Sequence, residues 1–155
     1  MIHNKWVVLA GLIILCLVTG FIGSLASMDA IPTWYATINK PSWNPPNWVF
    51  GPVWTILYIM MAVAAWRVWL THDRVKPALT LFFIQLAFNL AWSLIFFGLR
   101  SPGGALIEVV PFWAAILATM LAFFGRDKWA GLLFVPYLAW VSFAAVLNFA
   151  IWRLN

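Results

Sequence analysis

Polar residues are scarce along this chain and gather at a few places, so the apolar stretches between them are long and continuous. Runs of roughly 20 apolar residues, each able to cross about 30 Å of hydrocarbon as a helix, occupy Trp6–Ala26, Val53–Leu70, Ala78–Leu99, Ala105–Phe124 and Trp129–Ile151. The runs lack the short in-out alternation of barrel strands, and a lipid-exposed backbone must satisfy its own hydrogen bonds, so the pattern predicts helices. The expected fold is an all-α integral membrane protein: a five-transmembrane-helix bundle, one domain over 1–155, with a long structured loop at 27–52.

That first connection differs from the others. From Trp34 to Trp54 it holds four Trp, one Tyr and four Pro in 21 residues. Proline fixes φ, removes an N–H donor and pushes the preceding residue toward extended conformations, so this segment is stiff and lined with rings. Thr71–Pro77, Arg100–Gly104 and Gly125–Lys128 are short and make consecutive helices antiparallel neighbours. Ser101 and Asp127 read as helix caps, Pro52 and Pro77 as first-turn prolines, and Pro111 and Pro136 as points where the fourth and fifth helices loosen or kink.

Composition agrees with a lipid solvent, with 65% hydrophobic and only 8% charged residues. The first run is longer than the roughly 7–15-residue core of a secretory signal, so it reads as a retained helix. The net charge of +5 is mostly a topology signal. Lys5, Arg74, Lys76, Arg126 and Lys128 share one side of a five-span bundle, against Lys40, Arg100 and Arg153 on the other, which favours the N-terminus inside and the Trp-rich loop and C-terminus outside. No basic stripe suggests nucleic acid.

Helical spacing then sorts the polar and aromatic residues inside the spans. Trp54, Tyr58 and Met61 form one stripe; Gln85, Asn89, Trp92 and Phe96 a second; Tyr137, Trp140, Ala144, Leu147 and Asn148 a third. Carboxamides within a bilayer face the bundle interior, so Gln85, Asn89 and Asn148 mark inward faces, either as a pocket wall or as glue between helices. The stiff aromatic loop beside them favours a pocket for a flat apolar ligand. Trp34, Trp43 and Trp48 are expected to pack the loop onto the bundle, and Trp6, Trp69, Trp129 and Trp152 to anchor span ends. His3, His72 and Cys16 form no metal-ligand cluster, so no metal is expected. Glu108, the one acid well inside a run, is expected to face the headgroups, with ion pairing or proton relay as alternatives. No triad, phosphate loop or dinucleotide fingerprint is present.

Trp34-Tyr35, Lys40-Pro41-Ser42-Trp43-Asn44-Pro45-Pro46, Trp54, Ala87-Phe88-Asn89-Leu90-Ala91-Trp92, Pro136-Tyr137-Leu138-Ala139-Trp140 and Leu147-Asn148-Phe149 resemble the TspO/MBR family over nearly the whole chain. The resemblance implies a multi-pass membrane receptor, sensor or carrier, usually a homodimer, that binds porphyrins such as protoporphyrin IX as ligand, with no required cofactor. It also implies benzodiazepine-type ligands and, in some members, cholesterol. Carried over by motif, the ligand wall would be Tyr35, Trp54, Tyr58, Asn89, Trp92, Trp140, Ala144 and Leu147. Sterol is the less supported ligand, because Phe149 stands where the family's cholesterol pattern has a tyrosine, and that pattern is weak even when complete. Alternative implications are secondary transport of tetrapyrroles and light-dependent porphyrin degradation. Only the latter would give catalytic roles, to Trp54 and Trp140. Lys40 is the nearest basic candidate for porphyrin propionates, and Ala87 with Ala91 forms a small-residue pair suited to helix association.

Overall fold

The computed structural model describes residues 4–155; His3 lies outside them. Five helices are long and apolar enough to cross a membrane. They are α1 (Lys5–Thr33), α2 (Asn47–Thr71), α3 (Val75–Ser93, continued by a π turn over Leu94–Gly98), α4 (Pro102–Phe124) and α5 (Lys128–Leu154). A single 3-10 turn at Tyr35–Thr37 stands in the first connection. The chain is an integral multi-pass membrane protein built only of helices among the described residues.

The expected loop at 27–52 is shortened from both ends. Hydropathy drops at Ser27-Met28-Asp29, yet the helix runs on to Thr33 because its backbone bonds are indifferent to side-chain polarity, and Ser27 and Thr33 return their hydroxyls to the carbonyls of Ser24 and Asp29. Pro32 falls in the last turn and ends little that was not already ending. At the other end Pro46, at φ −59° and ψ 146°, starts α2, so Pro52 lies one turn deeper than a first-turn proline. Pro111 and Pro136 interrupt neither α4 nor α5. The π turn at Leu94–Gly98, closed by Leu99 N–H on the Leu94 carbonyl at 2.9 Å, has no counterpart in the hydrophobic pattern.

Caps behave as their residue types dictate. Ser101 Oγ accepts from Gly104 N–H at 3.0 Å, and Asp127 accepts from Ala130 N–H at 3.2 Å. Asp127 also takes a fork of bonds from Arg67, including Nη2 at 3.2 Å, tying α2 to the start of α5. The guanidinium beside it holds the Asp127 carboxyl below the usual carboxylate range.

α4 packs between α3 and α5, while α1 lies against α2 and α3. The core between them is aromatic at one end, where Phe82, Phe123 and Phe134 meet with centroids 5.1 to 6.4 Å apart. On α2, Met61, Ala62, Ala64, Ala65 and Val68 are fully buried, and the three alanines let neighbouring helices approach closely. Gln85, Asn89 and Asn148 are buried, as their cost in lipid requires. Ala87 is exposed and Ala91 half-buried, so this pair borders the outer surface of α3.

Candidate functional site

Above the aromatic core the helices part around a cavity of about 370 Å³, within the range of small-molecule sites. From α2 it is walled by Phe50, Trp54 and Tyr58, from α3 by Trp92 and Phe96, and from α5 by Trp140, Ala144 and Leu147. The aromatic walls are arranged face and edge. Trp54 lies 5.7 Å from Tyr58 and meets Tyr137 edge-on at 6.2 Å, Trp92 stacks on Phe96 at 5.0 Å, and Trp140 stands between Phe50 and Phe143 at 6.0 and 5.5 Å.

Seven of the eight residues expected at a ligand wall therefore border one space: Tyr35, Trp54, Tyr58, Trp92, Trp140, Ala144 and Leu147. Asn89 does not. It sits one layer behind, where Oδ1 accepts from the Tyr58 hydroxyl at 2.5 Å and Nδ2 donates to the Tyr137 hydroxyl at 2.8 Å. Tyr137 in turn donates to Gln85 Oε1 at 2.7 Å. Asn148 bridges differently, accepting from Trp92 Nε1 at 3.1 Å and donating to the Pro102 carbonyl at 2.8 Å, which sets the indole plane of Trp92 against α5 and the start of α4.

One donor in this wall is left over. Trp140 Nε1 is buried and has no hydrogen-bond partner, whereas Trp92 and Trp113 both have one. A buried, unpaired N–H costs free energy.

The α1 face of the cavity went unread in the aromatic pattern. Gly20, Ser24 and Ser27, a small-residue stripe at helical spacing that is the available signal, form it together with Ile31. A Cβ at Gly20 would run into the Tyr58 ring, so this glycine is required by close approach. Among the residues at the cavity edge Phe21 is 62% exposed, and Gly51 and Thr55 are also exposed, so the space opens sideways between α1 and α2.

The first connection closes the end of the bundle. Tyr35 is buried against Phe96 and Phe97, and its hydroxyl donates to Asn44 Oδ1 at 3.1 Å. Burial raises the phenol above its ordinary pKa, the Asn44 contact working in the opposite sense, so Tyr35 serves the site as a neutral group. Lys40, expected as a partner for propionates, turns inward: Nζ donates to the Tyr35 and Ile38 carbonyls at 2.7 and 3.0 Å and sits over the Tyr35 ring. Its ammonium is occupied by these two loop carbonyls. Asn39 and Asn155 clamp the loop to the end of α5, with Asn39 N–H on Asn155 Oδ1 at 3.0 Å and Asn155 Nδ2 on the Asn39 carbonyl at 2.8 Å.

The three loop tryptophans diverge. Trp34 packs edge-on against Phe96 at 5.8 Å, and Trp43 reaches Phe143 at 5.9 Å while staying half-exposed. Trp48 is 75% exposed, contrary to the expectation that it would pack inward: it lies in the first turn of α2 on the outward side, where an indole suits the interface between lipid and water. Glu108 also departs from expectation, since its carboxyl oxygens are buried within the bundle.

Comparison with known proteins agrees with this architecture along almost the full chain. The profile of the TspO/MBR family matches residues 12–153. A tryptophan-rich protein TspO from Chlorobaculum tepidum is 49% identical, covering 98% of this chain and 99% of that protein. A tryptophan-rich sensory protein from Cereibacter sphaeroides is 43% identical over 99% and 94% of the two chains, and the human translocator protein 42% identical over 87% and 82%. The chain belongs to the TspO/MBR family.

Proposed function

We propose that this protein is a membrane receptor or carrier for flat tetrapyrroles of the protoporphyrin IX type, held in the cavity between α1, α2, α3 and α5. The observation that carries the reading is the wall of rings, Trp54, Trp92 and Trp140, around one largely apolar space: such a slot suits a flat ligand. Ring contacts contribute about 0.5–1.5 kcal/mol each beyond area burial, so Trp54, Trp92 and Trp140 together support micromolar binding. The sideways opening between α1 and α2 suits a ligand dissolved in the bilayer, and the names sensory protein and translocator protein borne by relatives agree with a receptor or carrier. Sterol and benzodiazepine-type ligands remain secondary readings of the same space, and a homodimer an expectation from the family.

Titration of protoporphyrin IX into the protein in lipid, followed by tryptophan fluorescence, tests this. Quenching should saturate in the wild type, weaken in Trp140→Phe through the smaller ring, and nearly vanish in Trp54→Ala with Trp140→Ala. Equal quenching in all three would overturn the assignment.

Light-dependent degradation is the second reading, favoured by the placement of both Trp54 and Trp140 on the cavity wall where an excited porphyrin could accept an electron from an indole. Loss of porphyrin absorbance that is equal in light and dark, or unchanged without both tryptophans, would exclude it.

A further inference from the structure

The chain has four acids, and three have evident roles or exposure. Asp29 lies 3.3 Å from Arg100, Asp73 3.4 Å from Arg74, and Asp127 caps α5 while binding Arg67. Glu108 is different. It stands in the second turn of α4, both carboxyl oxygens are buried, and neither has a hydrogen-bond partner. An unpaired carboxylate inside a bilayer-embedded bundle costs several kcal/mol, so such a group is held neutral or waits for a cation.

Among the described residues Glu108 enters no ion pair. On α3 the one basic group, Lys76, is in the first turn; on α5 Lys128 and Arg153 mark the two ends; on α2 Arg67 is bound to Asp127 at the far end of the bundle. The π turn carries no titratable group. The remaining titratable groups on these helices are hydroxyls, Tyr58 on α2 and Tyr137 on α5. Phe112, one turn further along α4 than Glu108, meets the Tyr137 ring edge-on at 6.4 Å, which sets this stretch of α4 beside Tyr137. From Tyr137 the connection is continuous: Tyr137 to Asn89 at 2.8 Å, Asn89 to Tyr58 at 2.5 Å, and Tyr58 onto the cavity.

We propose that Glu108 is an intramembrane proton-binding site whose occupancy is coupled to ligand in the cavity through Tyr137, Asn89 and Tyr58. The step is the making and breaking of one O–H bond: the carboxylate takes a proton to become a neutral acid and returns it to become an anion. The anion attracts the Tyr137 O–H dipole away from Gln85, which alters the hold on Asn89 and therefore on the Tyr58 ring that the ligand touches. Uptake of the proton restores the arrangement described above. The coupling rests on the tetrapyrrole reading of the cavity, while the proton site does not.

Infrared difference spectroscopy of the ligand-free, full-length protein in lipid decides the proton site. Across about pH 5 to 9 the wild type should show the carbonyl stretch of a protonated carboxylic acid that disappears at the alkaline end, absent in Glu108→Gln and shifted in frequency in Glu108→Asp. A band independent of Glu108, or one that never ionises over that range, would overturn it. For the coupling, protoporphyrin IX affinity should change severalfold more with pH in the wild type than in Glu108→Gln, whose profile isolates the ligand's own titration. Coincident profiles would overturn the coupling. Absence of protoporphyrin binding at every pH would overturn the reading of the cavity, and the infrared result, which uses no ligand, would still decide the proton site.

Discussion

The Tyr58 hydroxyl donates to Asn89 Oδ1 at 2.5 Å, joining the α2 wall of the cavity to the carboxamide layer behind it. Both residues are buried, Tyr58 at 7% and Asn89 at 3% exposure, so neither partner can fall back on water. The consequence is that the position of a cavity-facing ring is set by a residue that does not face the cavity.

Removing one member of that pair should therefore cost more than removing both. Tyr58→Phe keeps the ring and strands Asn89 Oδ1, a loss of about 1–3 kcal/mol, whereas Tyr58→Phe with Asn89→Leu should recover part of it. Thermal unfolding in detergent, run as a double-mutant cycle, measures the coupling. Strict additivity would show that the bond contributes nothing.

Gly20→Ala places a methyl where the Tyr58 ring now lies. The ring is anchored by Asn89 and cannot swing freely, so α1 must move outward or Tyr58 must tilt into the cavity. Overpacking of this kind typically costs about 1–3 kcal/mol, and ligand affinity should fall with it. Gly11→Ala on the same helix has open space around its Cβ and serves as the control, with unfolding temperature and protoporphyrin affinity both near the wild type.

Acid should weaken the link between α2 and α5. The Asp127 carboxyl is held below its ordinary value by Arg67, so the stabilisation is present above the unfolded-state value of about 3.9 and is lost as pH falls through the lower folded-state value. The Arg67 side chain is 38% exposed, which screens the pair and keeps the effect modest. In unfolding scans at decreasing pH the wild type should lose stability in that acidic window and Asp127→Asn should be flatter. Identical slopes would mean the pair is inert.

Asn155→Ala removes the clamp between the first connection and α5, together with the bond from Nδ2 to the Ile151 carbonyl at 2.8 Å. Amide hydrogen exchange over residues 38–44 should rise, with exchange in the α2 and α4 cores unchanged. Unchanged exchange in the loop would show that Tyr35, Trp34 and the prolines hold it without help.

Two inward faces were legible from residue type, since Gln85, Asn89 and Asn148 could not face lipid and Trp92 on α3 and Trp140, Ala144 and Leu147 on α5 follow at helical spacing, while Trp54 and Tyr58 form a stripe of their own on α2. Spacing reports the direction of a side chain and says nothing of how far a neighbouring helix stands off. That is why Asn89 was grouped with the wall when it belongs to the layer behind, and why the α1 stripe of Gly20, Ser24 and Ser27 went unread beside the louder aromatic signal. The loop limits failed for another reason: hydropathy records where lipid ends, while Ser27–Thr33 and Asn47–Pro52 continue their helices beyond the apolar runs.

Lipid as solvent, the number of helices and their antiparallel order were already contained in the one-dimensional pattern, because a bilayer admits few ways to satisfy a backbone and short connections leave few ways to arrange it. The identity of each polar partner was not. Lys40 binding its own loop, Trp140 Nε1 left without an acceptor and Glu108 buried in the bundle all depend on atoms brought together from different helices or turns. Such pairings arise only when packed surfaces select one rotamer and one distance, and no periodicity along the chain carries that information.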